Sequence, residues 1–237
     1  MKITFTPNTN LLPEKYYPKP ASNFIPTWYE ESKSYVNDEK IPPTAGGTNA
    51  TIKRCMPIFD SMVSGYIIPT VVDIWVKQVF VEDNSEKKQP RYEWPSFDAI
   101  EFHPIIQAPD YPNNTGHTVA YPKWINPWSI KTPPGYSTFF IQPLHRKSNF
   151  TIIPGFVDTD KYNPAVNFPF VLNDINFEGL IPAGTPMVQV IPFKRDSWKM
   201  EIGNKEDFEN QNKQIALLKT KFFDSYKTNF RQSKEYK

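Results

Sequence analysis

Proline sets the terms for this chain: 25 prolines stand against nine glycines. Proline has no N–H and a locked φ, so it breaks helix interiors and collects at strand starts, sheet edges and bulges. Many of the prolines flank apolar pieces, as in IPTW, IIPT, WPSF, IIPG, FPF and IPF. The chain also carries 18 Phe, 12 Tyr and 6 Trp, too many aromatics for a chain without a core. The pattern predicts short strands with sharp corners and many ordered connections.

A chain of 237 residues holds one large β domain, or one domain with appendages, and buries a core without disulfides. The single cysteine, Cys55, excludes an internal disulfide and a multi-cysteine zinc site, and fits a reducing compartment. It reads as a small buried side chain. The net charge of +2, from 27 basic and 25 acidic residues, gives nucleic-acid binding no support. The start MKITFTPNTN turns polar at once, which is not a signal peptide, and no window approaches the ~20 apolar residues of a membrane span. The expectation is a soluble protein, not secreted by a signal peptide, with no membrane partner.

The pass along the chain predicts three regions. Residues 1–50 read as an extended Pro-rich arm, with Thr27 capping a short helix and Glu30 completing a capping box. Residues 51–199 read as a β-rich body. Within it Met56–Val63 is ambiguous and reads as a helical turn. Strands are expected at Tyr66–Ile68, Thr70–Val81, Arg91–Trp94, Tyr136–Gln142, Phe150–Ile153, Val166–Leu172 and Met187–Phe193, from β-branched and aromatic enrichment. The segments 41–50, 83–88 and 108–116 read as loops. Residues 204–235 read as a long amphipathic helix, with Asn204 and Asp207 at N-cap spacing and Phe208, Ile215, Leu218, Phe222, Tyr226 and Phe230 largely on one face. That face packs on its own body or on another subunit.

The motif that invites a catalytic reading is PGFVDTDKYNPAVNFPF, residues 154–170, with Asp158 and Asp160 separated by Thr159. In an extended chain both carboxylates share a side, which suits metal binding or a shared proton. The alternative is corner chemistry, in which Asp side chains accept from nearby backbone N–H groups and hold a turn. The corner reading is favoured. The histidines His103, His117 and His145 have no zinc-helix spacing, so an iron or zinc site needs all three brought together by the fold. No nucleophile elbow and no phosphate-binding glycine loop occurs.

Three runs, NPWSIKTPPGYSTFFIQPLHR, GFVDTDKYNPAVNFPF and GLIPAGTPMVQVIPFKRD, with TIKRCMPIFDSMVSGYIIP before them, resemble a family of uncharacterised phage and bacterial proteins. That resemblance covers most of the body and implies a tailed-phage or bacterial origin, in host cytoplasm or virion, without implying an activity. A weaker resemblance is to the β-clip fold of dUTPases and dCTP deaminases. Gly155–Tyr162 looks like their Gly-hydrophobic-Ile-Asp-Ser-Asp-Tyr segment, Val166–Asn173 like the following strand ending in Asn, and Ala183–Gln189 like the turn leading to a strand with Ala-Gln. The run PLHRKS, residues 143–148, sits where their Arg-Ser phosphate motif would be. The resemblance implies that Asp158 and Tyr162 line a pyrimidine pocket, with Gln189 beside it and Arg146 on phosphate; magnesium would enter only with a nucleotide. Lys161 is an extra residue before the tyrosine, and the Asp-Ala-Gly-X-Asp-Leu motif, the glycine-rich C-terminal motif and the deaminases' glutamate have no counterpart.

The sequence therefore predicts a mainly β fold, β-clip-like or double-sheet, in a non-catalytic homo-oligomeric binding or assembly protein with no cofactor. A pyrimidine-nucleotide enzyme or sensor using Asp158, Asp160, Tyr162, Arg146 and Gln189 is the alternative. A metal-dependent enzyme built on His103, His117 and His145 is the third reading.

Overall fold

The computed structural model describes residues 1–41, 49–81, 88–96, 98–107, 120–220 and 224–237. The expected loop residues 42–48, 83–87 and 108–116, His117 and Phe222 lie outside the described residues.

The fold is mainly β, in several sheets. Fourteen strands are described: β1 (Thr4–Pro7), β2 (Lys19–Pro20), β3 (Tyr66–Pro69), β4 (Ile74–Phe80), β5 (Lys88–Glu93), β6 (Ile100–Pro104), β7 (Ala120–Trp124), β8 (Trp128–Lys131), β9 (Tyr136–Ile141), β10 (Phe150–Ile152), β11 (Gly155–Val157), β12 (Phe168–Leu172), β13 (Gly179–Ile181) and β14 (Pro186–Lys194). The largest sheet runs β11-β9-β14-β3-β2; the others run β10-β12-β7-β6, β13-β4-β5 and β1-β8. Every pairing is antiparallel.

The sheets share one core; β4 alternates buried with exposed residues, while β3, β12 and β14 are buried over successive residues. Ile68, Val188, Val190 and Phe140 come from the largest sheet, Trp124, Phe150, Phe168 and Phe170 from the four-stranded one, and Ile74, Val76, Tyr92 and Ile181 from the three-stranded one. Trp124 stacks on Phe170 at 4.6 Å between ring centroids.

Prolines take the positions their chemistry allows. Pro20 lies on edge strand β2 and Pro90 on edge strand β5. Pro192 sits in β14 beyond the last residue paired with β3, where no ladder donor is required. Pro186 opens β14 beside a register shift against β3. The PPG and IPAG turns close as expected: the Tyr136 N–H donates to Pro133 O and the Thr185 N–H to Pro182 O, with Gly135 and Gly184 at φ +84° and +90°.

Three expectations change. The N-terminal arm is not a free extension. β1 pairs with β8, putting Phe5 opposite Ile130, β2 pairs with β3, and Leu12 enters the core. The short helix α1 (Thr27–Glu31) starts one residue earlier than the capping-box reading allows: Pro26 holds the cap position, its carbonyl accepts from the Tyr29 and Glu30 N–H groups, and no side chain caps it. The ambiguous segment forms α2 (Met56–Val63), and Cys55 before it is exposed rather than buried.

The C-terminal helix is present but shorter than 204–235. It comprises α3 (Lys205–Thr220) and a separate short α4 (Ser225–Asn229). Asn204 caps α3 by accepting from the Glu206 and Asp207 N–H groups, while Asp207 accepts from the Asn204 N–H. Asp224 adopts a left-handed φ of 62°, which no helix interior accommodates. The chain then turns back onto the body. Asp224 pairs with Arg54, the Arg231 guanidinium donates to both oxygens of Asp60, and the Tyr236 ring meets Tyr66 at 5.9 Å. A helix running on to 235 would carry these groups away. Residues 196–219 are exposed, Ile215, Leu217 and Leu218 the least so of their large apolar groups.

Candidate functional site

The aspartate corner follows β11. Pairing with β9 sets Val157 opposite Thr138, and the chain then turns, with the Lys161 and Tyr162 N–H groups donating to Asp158 O. Thr159 points inward, its buried hydroxyl 2.8 Å from those of Thr132 and Thr138. The flanking carboxylates converge on Arg195, just past the end of β14. Its Nη1 and Nη2 donate to the two oxygens of Asp160, and Nη1 lies 3.1 Å from Asp158 Oδ1. Asp160 also accepts from the Gly135 N–H at 2.9 Å, and Asp158 from the Ser137 hydroxyl at 2.6 Å.

This geometry sets the protonation states. The Arg195 hydrogen bonds, aided by the Gly135 N–H, hold the Asp160 carboxyl well below the usual carboxylate range against the opposing effect of burial. The Ser137 hydroxyl, then Arg195, lower Asp158. Arg195 is raised in turn, first by its bonds to Asp160. Two carboxylates sharing a proton need one affinity raised above the ordinary value, and here both are lowered. A guanidinium fork on a carboxylate is a strong planar tie. The corner joins the ends of β9, β11 and β14.

The other residues expected at a pyrimidine pocket lie elsewhere. Gln189, opposite Ile141 at the far end of β9, is fully buried and spends its amide on structure. Its Oε1 accepts from the Leu144 N–H at 3.1 Å, and its Nε2 donates to Ser61 O and Ser64 O at 2.9 and 2.7 Å. That ties the loop 142–148 to the end of α2. Arg146 is in this loop. From Ser137 to Ile141 is about 13 Å of strand, so β9 separates Asp158 and Asp160 from Arg146 and Gln189. Tyr162 is half-exposed beside the aspartate corner. The fold does not bring the five residues together.

Arg146 differs from the chain's other arginines. Arg54, Arg91, Arg195 and Arg231 each pair with a carboxylate. The Nε and Nη2 of Arg146 are shut off from solvent without a hydrogen-bond partner among the described residues, and burial pulls its guanidinium down to about 10. It borders a cleft of about 540 Å³, lined also by Lys147, Ser148, Asn149, Asn173 and Thr185. No acidic side chain lines that cleft among the described residues. The loop is rigid: Trp28 Nε1 donates to His145 O at 2.7 Å, the Ile152 N–H to Gln142 Oε1, and Asn173 Nδ2 to Ser148 O.

Of the histidines, His103 and His145 are among the described residues, and each has its own partner. His103 on β6 bonds Gln107 Oε1 through Nδ1 at 2.7 Å, and His145, at φ +57°, has Nε2 3.0 Å from Ser61 Oγ. Among the described residues no three His, Cys, Asp or Glu side chains converge to hold a metal ion. No helix among them is long and apolar enough to cross a membrane. No family model and no curated protein matches the chain.

Sequence reasoning passed over Arg195, which organises the aspartate corner, and the exposed run 196–202 that follows it. The signal for the second was present: Trp198, Met200 and Ile202 alternate with polar residues.

Proposed function

We propose that the protein is a non-catalytic binding or assembly subunit that associates with copies of itself. The observation that carries this reading is the exposed excursion 196–219. Its base is held on one side by Arg195 in the aspartate corner and on the other by the Asp224–Arg54 and Arg231–Asp60 pairs. It presents Trp198, Met200, Ile202, Phe208, Ile215, Leu217 and Leu218 to solvent. Large apolar groups exposed together on a tethered element mark an interaction surface. The resemblance to phage and bacterial proteins supports a phage-type role, in the virion or the host cytoplasm. Light scattering tests the reading. The expected mass is a multiple of the chain's, and Trp198→Ser with Phe208→Ser weakens association about tenfold or more. A monomer up to ~100 μM, a range covering weak transient association, sinks it.

Arg146 favours a second reading, binding of an anionic ligand such as a nucleotide phosphate in the cleft beside it. A guanidinium without a carboxylate partner among the described residues, bordering a cleft with no acidic lining, favours an anion there over a cation. Calorimetry with inorganic phosphate, dUTP and dCTP, with and without magnesium, is expected to give binding heat that Arg146→Gln abolishes. No heat from any of the three counts against it.

A further inference from the structure

The excursion opens with SWKMEI, residues 197–202, which belongs to no helix or strand. Trp198, Met200 and Ile202 are 92%, 85% and 87% exposed. Between them Lys199 Nζ bonds Glu201 Oε1 at 3.1 Å. The alternation of Trp198, Met200 and Ile202 with polar residues is the pattern of a half-buried strand, carried here by a segment outside any sheet.

Among the described residues the largest sheet ends in an edge without a neighbour. β11 is the outer strand of the largest sheet, paired on one side with β9. On the outward face Phe156, 69% exposed, stacks on Phe139 at 4.4 Å and meets Phe193 edge-on at 5.5 Å. The register places Phe156, Phe139 and Ile191 in one row across β11, β9 and β14. An open edge offers unpaired backbone groups, and an aromatic row offers an apolar surface beside them.

We infer that residues 197–202 of one copy add as a strand to the β11 edge of a second copy, continuing the Phe156–Phe139 row with Met200 or a neighbouring apolar side chain. This rests on the self-association reading and names its contact. The occupant is another copy because one chain carries both halves of the contact, the exposed alternating segment and the outer edge of β11, so a symmetric pair makes it twice. Trp198, Met200 and Ile202 offer on the order of 500 Å², and two reciprocal contacts of that size reach the scale of a standard interface. Reciprocal donation uses both elements of every subunit and covers the β11 edge of each.

Directed cross-linking tests the inference. In a Cys55→Ser background, Phe156→Cys is mixed with Trp198→Cys, Met200→Cys or Ile202→Cys and oxidised. All four positions are exposed, and circular dichroism before oxidation checks that each variant keeps its fold. The expected result is a mixed disulfide dimer for at least one pair, formed at least tenfold faster than with a cysteine control at exposed Ile106. Association by light scattering with no favoured pair overturns strand addition and leaves self-association standing. A monomer under the same conditions overturns both.

Discussion

Gly65→Ala is expected to lower stability by about 4 kcal/mol, a large share of the roughly 5–15 kcal/mol that a folded domain possesses. Gly65 links α2 to β3 at φ +73°, and a Cβ there would stand 2.0 Å from Val190 O and 2.9 Å from its carbon. Both atoms are backbone of β14, the strand that holds the largest sheet together, so relief requires displacing the sheet. The left-handed conformation adds about 1–2 kcal/mol for any L side chain. Gly65 O also accepts from the Ala21 N–H, so displacement would disturb the docking of the N-terminal region as well. Urea unfolding is the measurement. A midpoint within error of the wild type would show that the close approach of Gly65 to Val190 is not a feature of the protein.

Gln189→Leu is expected to cost about 3 kcal/mol, with a local signature. The substitution keeps volume and burial but removes one acceptor and two donor bonds, leaving the Leu144 N–H and the Ser61 and Ser64 carbonyls without partners. Each buried orphan costs about 1–3 kcal/mol, partly recovered where water reaches it. The Leu144 amide should exchange its hydrogen many-fold faster, and the loop carrying Arg146 should loosen. Unchanged exchange at Leu144 would mean that Gln189 does not organise this loop.

What was legible in the sequence was local. The strands at Tyr66, Tyr136, Phe150 and Met187 declare themselves through β-branched and aromatic residues, and Asn204 with Asp207 announces the start of α3. What was not legible depended on distant pairing. Phe5 lies opposite Ile130, and nothing near Phe5 says so. Asp158 and Asp160 read as a corner from their own neighbourhood, yet the group that fixes them, Arg195, comes 35 residues after Asp160. Cys55 reads as a core residue by its type, and only its place ahead of α2 makes it exposed. The end of α3 was misplaced because helical spacing continues through Tyr226 and Phe230, while ion pairs to Asp60 and Arg54 draw that segment back. Local propensity yields wherever a long-range tie is stronger.

The tethering of the excursion at both ends bears on the energetics of assembly. A tail anchored at one end loses most of its conformational entropy when it docks, about 1–2 kcal/mol for each residue ordered. A segment fixed at Arg195 and again at Asp224 samples far fewer arrangements before it meets a partner, and its α3 portion is already helical. Less of the contact energy is then spent on ordering. Under the proposed self-association, the same two anchors would let a neighbour take up or release the segment without loosening the core of either body.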